Sequence, residues 1–502
     1  MTPALIAGTC VAAIAALAAA VMPSAVGARQ TAVAAASSRA LLAQQLAQGI
    51  LPSTGHGRLT QRLTDADVTS SVASRFAAKA APRSSTLAHT SSVGAPPSTA
   101  DCVAATGLAC YSARQLAVAY GAVRAHRAGW TGRGATVVLP IWYGAPEADL
   151  KHDLQVLSAA YQLPAPQLQV VTSGPIAPMP APGDADADAA ARYSIAEETT
   201  LDASAIHAMA PDAHIVVLET PATDPADGGY AEILSAVDDY TRTHPGVIVS
   251  MSYGTYESDL GATTLQRLNG RLASLAHRRR LTFMAANGDT GDTSGEDTQP
   301  AVPWPASSPQ VLAVAGTRVS LDADGHRTSP DTVWGDTFGL GLATGGGLST
   351  VFARSWWQAP YASQAGSRRG SSDIAADASI ESRFIFFSTF NVLGGGIDRD
   401  GGWRRAAGTS VATPLVAGVI VLARQAARHP LGVVAPALYR AAAAGAGGGI
   451  SDVVSGSNAV PGNAGYTARP GWDVVSGVGT IGDAARLIPA LAAASPPATP
   501  AA

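Results

Sequence analysis

The run Gly408-Thr409-Ser410-Val411-Ala412-Thr413-Pro414-Leu415-Val416-Ala417-Gly418 constrains the fold of this chain more than any other stretch. From 411 to 424 the residues are apolar on all sides of a helical projection. That pattern suits a helix buried inside a large domain rather than an amphipathic surface helix. Pro414 would break a helix interior, but a helix start has N–H groups with no partner to lose, so the spacing predicts a first-turn position for it. Ser410 then sits where helix N–H groups and the positive dipole end point outward, a place that can stabilise an oxyanion as a serine attacks a carbonyl. Taken alone, the same residues also suit an ordinary capped core helix.

A core large enough to hold such a helix is affordable. The chain has 502 residues, 47% hydrophobic and only 14% charged. The formal net charge is −4 and no Lys/Arg-rich stripe exists, which excludes a nucleic-acid binder. Residues 4–28 are apolar and Ala-rich and end in small residues, as an export signal does, although no Lys or Arg precedes them; an uncleaved anchor is the alternative. Residues 29–100, rich in Ala, Ser and Thr with a linker-like end, read as a pro-segment. Cys102 and Cys110, eight residues apart, could close a small loop in an exported protein.

Order is expected from about 101 to 487, with a disordered tail from 488 to 502. Helices are expected over 112–126, 149–161, 197–209, 230–241 and 262–278. Strands are expected over 135–142, 167–171, 214–218, 246–252, 281–286 and 310–314. Residues 175–191 read as a surface loop, with Asp184, Asp186 and Asp188 as solvated charge. The alternation implies a mostly parallel, doubly wound α/β sheet with helices on both faces, its working residues at the carboxyl ends of strands.

A serine hydroxyl needs a base. The chain has 10 histidines, but no His-Gly-Thr run opening a helix. A carboxylate pair is available instead: Glu198 and Asp202 lie four apart on one helix and share a face. One can serve as base while the other orients it; a solvated acidic helix start is the alternative. His207 falls on another face. Asn287-Gly288-Asp289-Thr290-Gly291 reads as a tight turn at the carboxyl end of a strand. A protonated Asp289 there could donate to an oxyanion; a turn aspartate bonded to its own backbone is the plainer reading.

Together these pieces resemble the sedolisin family, the serine-carboxyl peptidases, over roughly residues 100–485. The resemblance is carried by Glu198-Thr199-Thr200-Leu201-Asp202, Ser250-Met251-Ser252-Tyr253-Gly254, Asn287-Gly288-Asp289-Thr290-Gly291 and Pro305-Ala306-Ser307-Ser308-Pro309. Gly345-Gly346-Gly347-Leu348-Ser349, Asp373-Ile374-Ala375-Ala376-Asp377 and the Ser410 run follow in family order. The resemblance implies a subtilisin-like fold and a serine-type peptidase, endo- or exo-acting, on protein or peptide substrates. It implies Ser410 as nucleophile, Glu198 as general base, Asp202 as its partner and a protonated Asp289 at the oxyanion beside the Ser410 N–H. An acidic optimum follows from carboxyl chemistry. The resemblance also implies one structural Ca2+ held by Asp452 and Asp473 with the carbonyls of Val453, Arg469 and Gly471. A secreted protein is expected from residues 4–28, and a monomer is expected.

The chain departs from the family in five places. Asn287 stands where Ser is usual, and Val411-Ala412 follows the serine where small residues are usual. Pro140 stands near an auxiliary acid of many members, Tyr253 replaces a frequent Trp, and the pro-segment is short. Two other readings stay open. One is a catalytically silent binding protein, disfavoured because all four site residues are present. The other is an Asp-His-Ser subtilisin, disfavoured for want of the histidine motif.

Overall fold

The computed structural model describes residues 94–180, 187–221, 229–293, 300–391 and 396–493. The expected export signal and nearly all of the expected pro-segment fall outside these residues. Ser98 caps a helix Thr99–Thr106 that runs across the expected boundary at residue 100. A disulfide joins Cys102 to Cys110 and ties that helix to the strand Ala109–Tyr111.

One sheet carries the domain. Its strands are β1 (Thr136–Trp142), β2 (Gln167–Thr172), β3 (His214–Thr220), β4 (Ile248–Met251), β5 (Thr282–Ala286), β6 (Val311–Arg318), β7 (Thr332–Val333), β8 (Ile374–Asp377), β9 (Ile450–Ser451) and β10 (Thr480–Ile481). The order is β9-β10-β8-β6-β5-β4-β1-β3-β2, with β7 beside β6. Pairing is parallel from β2 through β10, and antiparallel only where β9 meets β10 and β7 meets β6. The expected doubly wound, mostly parallel α/β architecture is therefore present. Every residue of β4 and β5 is buried, as strands covered on both faces must be.

The helices that matter are α1 (Glu147–Tyr161), α2 (Ala187–Met209), α3 (Tyr230–Thr241), α4 (Ala262–Arg278) and α5 (Thr409–Ala427). In α4, Leu265, Leu268, Leu272 and Leu275 are buried at helical spacing, so one stripe faces the sheet. In α5 the unbroken run from Thr409 to Ala423 is buried, as its all-round apolarity requires. Truncating a core side chain there, as in Leu415→Ala, costs about 2–5 kcal/mol. Among the described residues, α5 is the one helix long and apolar enough to cross a membrane, and it is spent on the core.

Several expectations need correction. The helix expected over 112–126 is two, Ala113–Ala119 and Ala122–Arg127, because Gly121 takes φ 75° between them. Helix α2 begins at Ala187, so Asp188 belongs to a helix and not to a loop; Asp184 and Asp186 lie outside the described residues. The tail does not begin at 488: Ala484–Ala492 is a helix with Ile488 and Leu491 buried, and 494–502 lie outside the described residues. A hairpin of Ser382–Asn391 and Gly396–Ala406, absent from the sequence reading, packs on α2 and runs directly into α5.

Candidate active site

Two features of the backbone bring α2 and α5 together over the carboxyl ends of β4 and β5. Gly418 is one: a Cβ there would lie 2.4 Å from Met209 Cβ, so only glycine lets α5 approach α2 this closely. Pro414 is the other. It is the sixth residue of α5 rather than part of its first turn, so the carbonyl of Ser410 loses its helical N–H partner. Ser252 Oγ, from the end of β4, leans toward that carbonyl at 3.5 Å.

All four expected residues converge here. Ser410 is buried at the start of α5, preceded by Gly408 at φ 127°. Its Oγ reaches no partner at hydrogen-bond geometry among the described residues. The Glu198 carboxyl is nevertheless close enough for that hydroxyl to draw its pKa down. Catalytic hydrogen bonds of free enzymes are often long and tighten with substrate. Burial raises Glu198 well above the usual carboxylate range, and the neighbouring charges of Asp202, Asp289 and Glu197 push in the same direction. Asp202 Oδ1 accepts from Ser252 Oγ at 2.6 Å. Burial lifts Asp202 to about 8 against that bond. The two acids titrate as a pair, so between their proton losses one proton is shared by both.

Asp289 lies in the turn after β5 and is fully buried. Its Oδ1 accepts from the Thr409 N–H at 2.8 Å and the Thr409 hydroxyl at 2.7 Å, which docks the turn on the first residue of α5. The Gly-rich run supports this turn from below. Gly345 N donates to the Gly288 carbonyl at 2.6 Å and Ala343 N to that of Asp289 at 3.0 Å. A Cβ on Gly345 would lie 1.7 Å from Asn287 O, so the run must be glycine for the turn to sit here.

His207 of α2 and His126, which reaches α2, are both bonded elsewhere. His207 is buried on α2 but bonds to Ser158 Oγ at 2.9 Å, and burial pushes it down to about 4. His126 meets the carbonyl of Met209 at 2.9 Å. Tyr253, at the departure noted above, donates to the carbonyl of Pro140 at 2.7 Å and packs on Trp142 with ring centroids 4.5 Å apart.

Sequence reasoning missed Ser252 and Thr409 as functional neighbours. Both stood inside quoted motifs, which was the available signal; their bonds to the site carboxylates come only with the fold.

The expected calcium ligands gather away from this site. Asp452 Oδ2 accepts from Gly471 N at 2.7 Å and Asp473 Oδ2 from Arg469 N at 3.0 Å, so the two carboxylates bracket the turn 469–473. Asp473 is buried and Asp452 exposed. Among the described residues no cluster of three or more His, Cys, Asp or Glu could hold a metal. A set of two carboxylates completed by main-chain carbonyls is compatible with that, because Ca2+ takes oxygen ligands of either kind.

The model of the subtilase family matches residues 190–449. Among curated proteins, the chain is 35% identical to kumamolisin of Bacillus sp. (strain MN-32) over 293 residues, 56% of this chain and 49% of that protein. It is 29% identical to sedolisin of Pseudomonas sp. (strain 101) over 273 residues, 53% of this chain and 44% of that protein. The chain thus spans about half the length of the curated relatives it matches. The solved structure of Pseudomonas sedolisin, a serine-carboxyl proteinase complexed with two molecules of pseudo-iodotyrostatin, aligns with 75% of this chain and 96% of its own at 25% identity and a TM-score of 0.62. Matched motifs, fold and family model agree: the chain belongs to the subtilase family, in its sedolisin group.

Proposed function

We propose that the chain is a serine-type peptidase that cleaves peptide bonds through an acyl-enzyme on Ser410. The observation that carries this reading is the gathering of Glu198, Asp202 and Asp289 around one buried serine, with His207 of the same helix bonded to Ser158 instead. Glu198 accepts the Ser410 proton as Oγ attacks the scissile carbonyl, and returns it to the leaving amine. Asp202, held by Ser252, keeps the shared proton and orients Glu198. Asp289 presents its Oδ1 to Thr409; a proton on its Oδ2 would be donated to the tetrahedral oxyanion, beside the Ser410 N–H. Water then releases the acyl group by the same steps in reverse order.

The pH dependence follows from this proton inventory. Activity requires one proton lost from the Glu198–Asp202 pair and Asp289 still protonated, so the profile is a bell. Because carboxyl groups supply both the base and the oxyanion donor, the proposed optimum is acidic.

Protein or peptide substrates, an exported and monomeric protein, a removable pro-segment and one structural Ca2+ complete the proposal. The Cys102–Cys110 disulfide supports an oxidising compartment. Asp452, Asp473 and the carbonyls of Val453, Arg469 and Gly471 would hold the Ca2+, which would brace this loop and take no part in the reaction. Chelation should then lower the melting temperature by a few degrees, and added Ca2+ should restore it.

The test is incubation of the purified full chain and its Ser410→Ala variant with an unfolded protein across pH, following fragment masses and the chain's own N-terminus. Cleavage by the wild type alone, under acid conditions, supports the reading. Equal cleavage by both, or cleavage strongest at alkaline pH, counts against it.

A further inference from the structure

Glu197 and Glu198 are successive on α2, so they leave the helix about 100° apart. Glu198 bears on Ser410. Glu197 turns to the hairpin instead, where Arg404 Nε lies 3.6 Å from its Oε1. Both side chains are withdrawn from water, Glu197 at 1% exposed and Arg404 at 16%. Arg404 stands on Gly396–Ala406, the strand that continues through Gly408 into α5. Only five residues separate it from Ser410.

We infer that the Glu197–Arg404 ion pair is a positioning pair for the reaction proposed above, setting the Glu198 carboxyl against the Ser410 hydroxyl. The inference rests on that reading of Ser410 and Glu198. It is drawn from placement: one partner adjoins the base in sequence, the other adjoins the nucleophile, and the pair bridges the two elements whose separation fixes the proton-transfer distance. Such distances are unforgiving in catalysis. A pair that served only the fold could sit anywhere along α2 and the hairpin.

The charges around the pair are known from each packed element. On α2, Asp202 and Glu197 face Glu198; from the turn after β5, Asp289 faces it; from α5, the Ser410 hydroxyl. On its far side the charge of Arg404 also reaches Asp153 of α1. Asp153 Oδ2 accepts from Thr389 N, on the hairpin's first strand, at 2.9 Å. Arg404 is thus one cation among Glu197 and Asp153, and it offsets the anion that stands next to the base.

This arrangement has a signature that a packing role lacks. Removing Glu197's charge eases ionisation of Glu198, and removing Arg404's charge opposes it. The experiment is kcat and KM across pH for the full chain and for Glu197→Gln, Arg404→Met and Arg404→Lys, with Ser410→Ala as the inactive reference. Arg404→Met should lose roughly tenfold or more in kcat with KM little changed. Its acid limb should move to higher pH, that of Glu197→Gln to lower pH, and Arg404→Lys should restore the wild-type limb. Profiles that superimpose on an active wild type, or limbs that move in the same direction, overturn the inference and leave the proposed reaction standing. A wild type as inert as Ser410→Ala overturns both. If Arg404→Met fails to fold, Glu197→Gln and Arg404→Lys decide alone.

Discussion

Two buried acid clusters in this domain are built from similar residues and do opposite things. At β8, Asp373 is fully buried and meets Arg369 Nη1 at 3.0 Å, the Ala313 N–H at 2.9 Å and the Tyr439 hydroxyl at 2.9 Å. Arg369 is itself fully buried; burial would lower its pKa, but Asp373 and Tyr439 together hold it raised. At the active site, Glu198 and Asp202 have each other, hydroxyls and further acids for company. The first cluster pairs its charge and fastens β6 to β8. The second leaves its charge unpaired and therefore holds protons that chemistry can move. In these two clusters a buried cation accompanies the acid that fastens the fold, and the acids without one are those proposed for catalysis.

The comparison breaks most sharply at Glu198→Gln. Its kcat/KM should fall roughly 10^3-fold, the scale of a lost general base, while melting temperature holds or rises because an uncompensated buried carboxyl is gone. Peptide-cleavage kinetics beside calorimetry check both halves. Arg369→Met should do the reverse and destabilise by about 3–5 kcal/mol, because it leaves Asp373 buried without its cation; denaturant titration reads this.

Asp153 sharpens the contrast through pH. Burial raises it to about 8, so the stability it contributes is full below the ordinary carboxylate range and is lost as pH rises toward 8. Asp153→Asn should flatten the decline of melting temperature between about pH 4 and pH 8. The smallest effect is expected at Tyr253→Phe, which loses one hydrogen bond to the Pro140 carbonyl at about 1 kcal/mol, with no change in the acid limb of the pH profile. A moved limb would join Tyr253 to the proton-holding cluster and blur the distinction.

What the sequence showed follows the same division between local and non-local physics. Helices α3 and α4 match their expected spans of 230–241 and 262–278 residue for residue, because apolar spacing and flanking glycines are local signals. Helix α2 starts at Ala187 and not at 197, because a Pro/Ala/Asp-rich approach masks helix-forming alanines. The hairpin before α5 went unread although Phe384-Ile385-Phe386-Phe387 is a strong β signal; the helix it packs on, α2, lies far away in sequence. Ser410, Glu198, Asp202 and Asp289 were legible because each sits in a motif. The bonds of Ser252 to Asp202 and Thr409 to Asp289 span 50 and 120 residues, so the fold had to bring them together.

The most direct test of carboxylate activation is the rate at which a fluorophosphonate labels Ser410 as a function of pH, in the wild type and in Glu198→Gln. The account predicts that labelling of the wild type follows the ionisation of the acid pair and that Glu198→Gln labels at a small fraction of that rate at every pH. Equal labelling of the two proteins, rising through the ordinary histidine range near about pH 6.5, would contradict it and assign the base to a histidine.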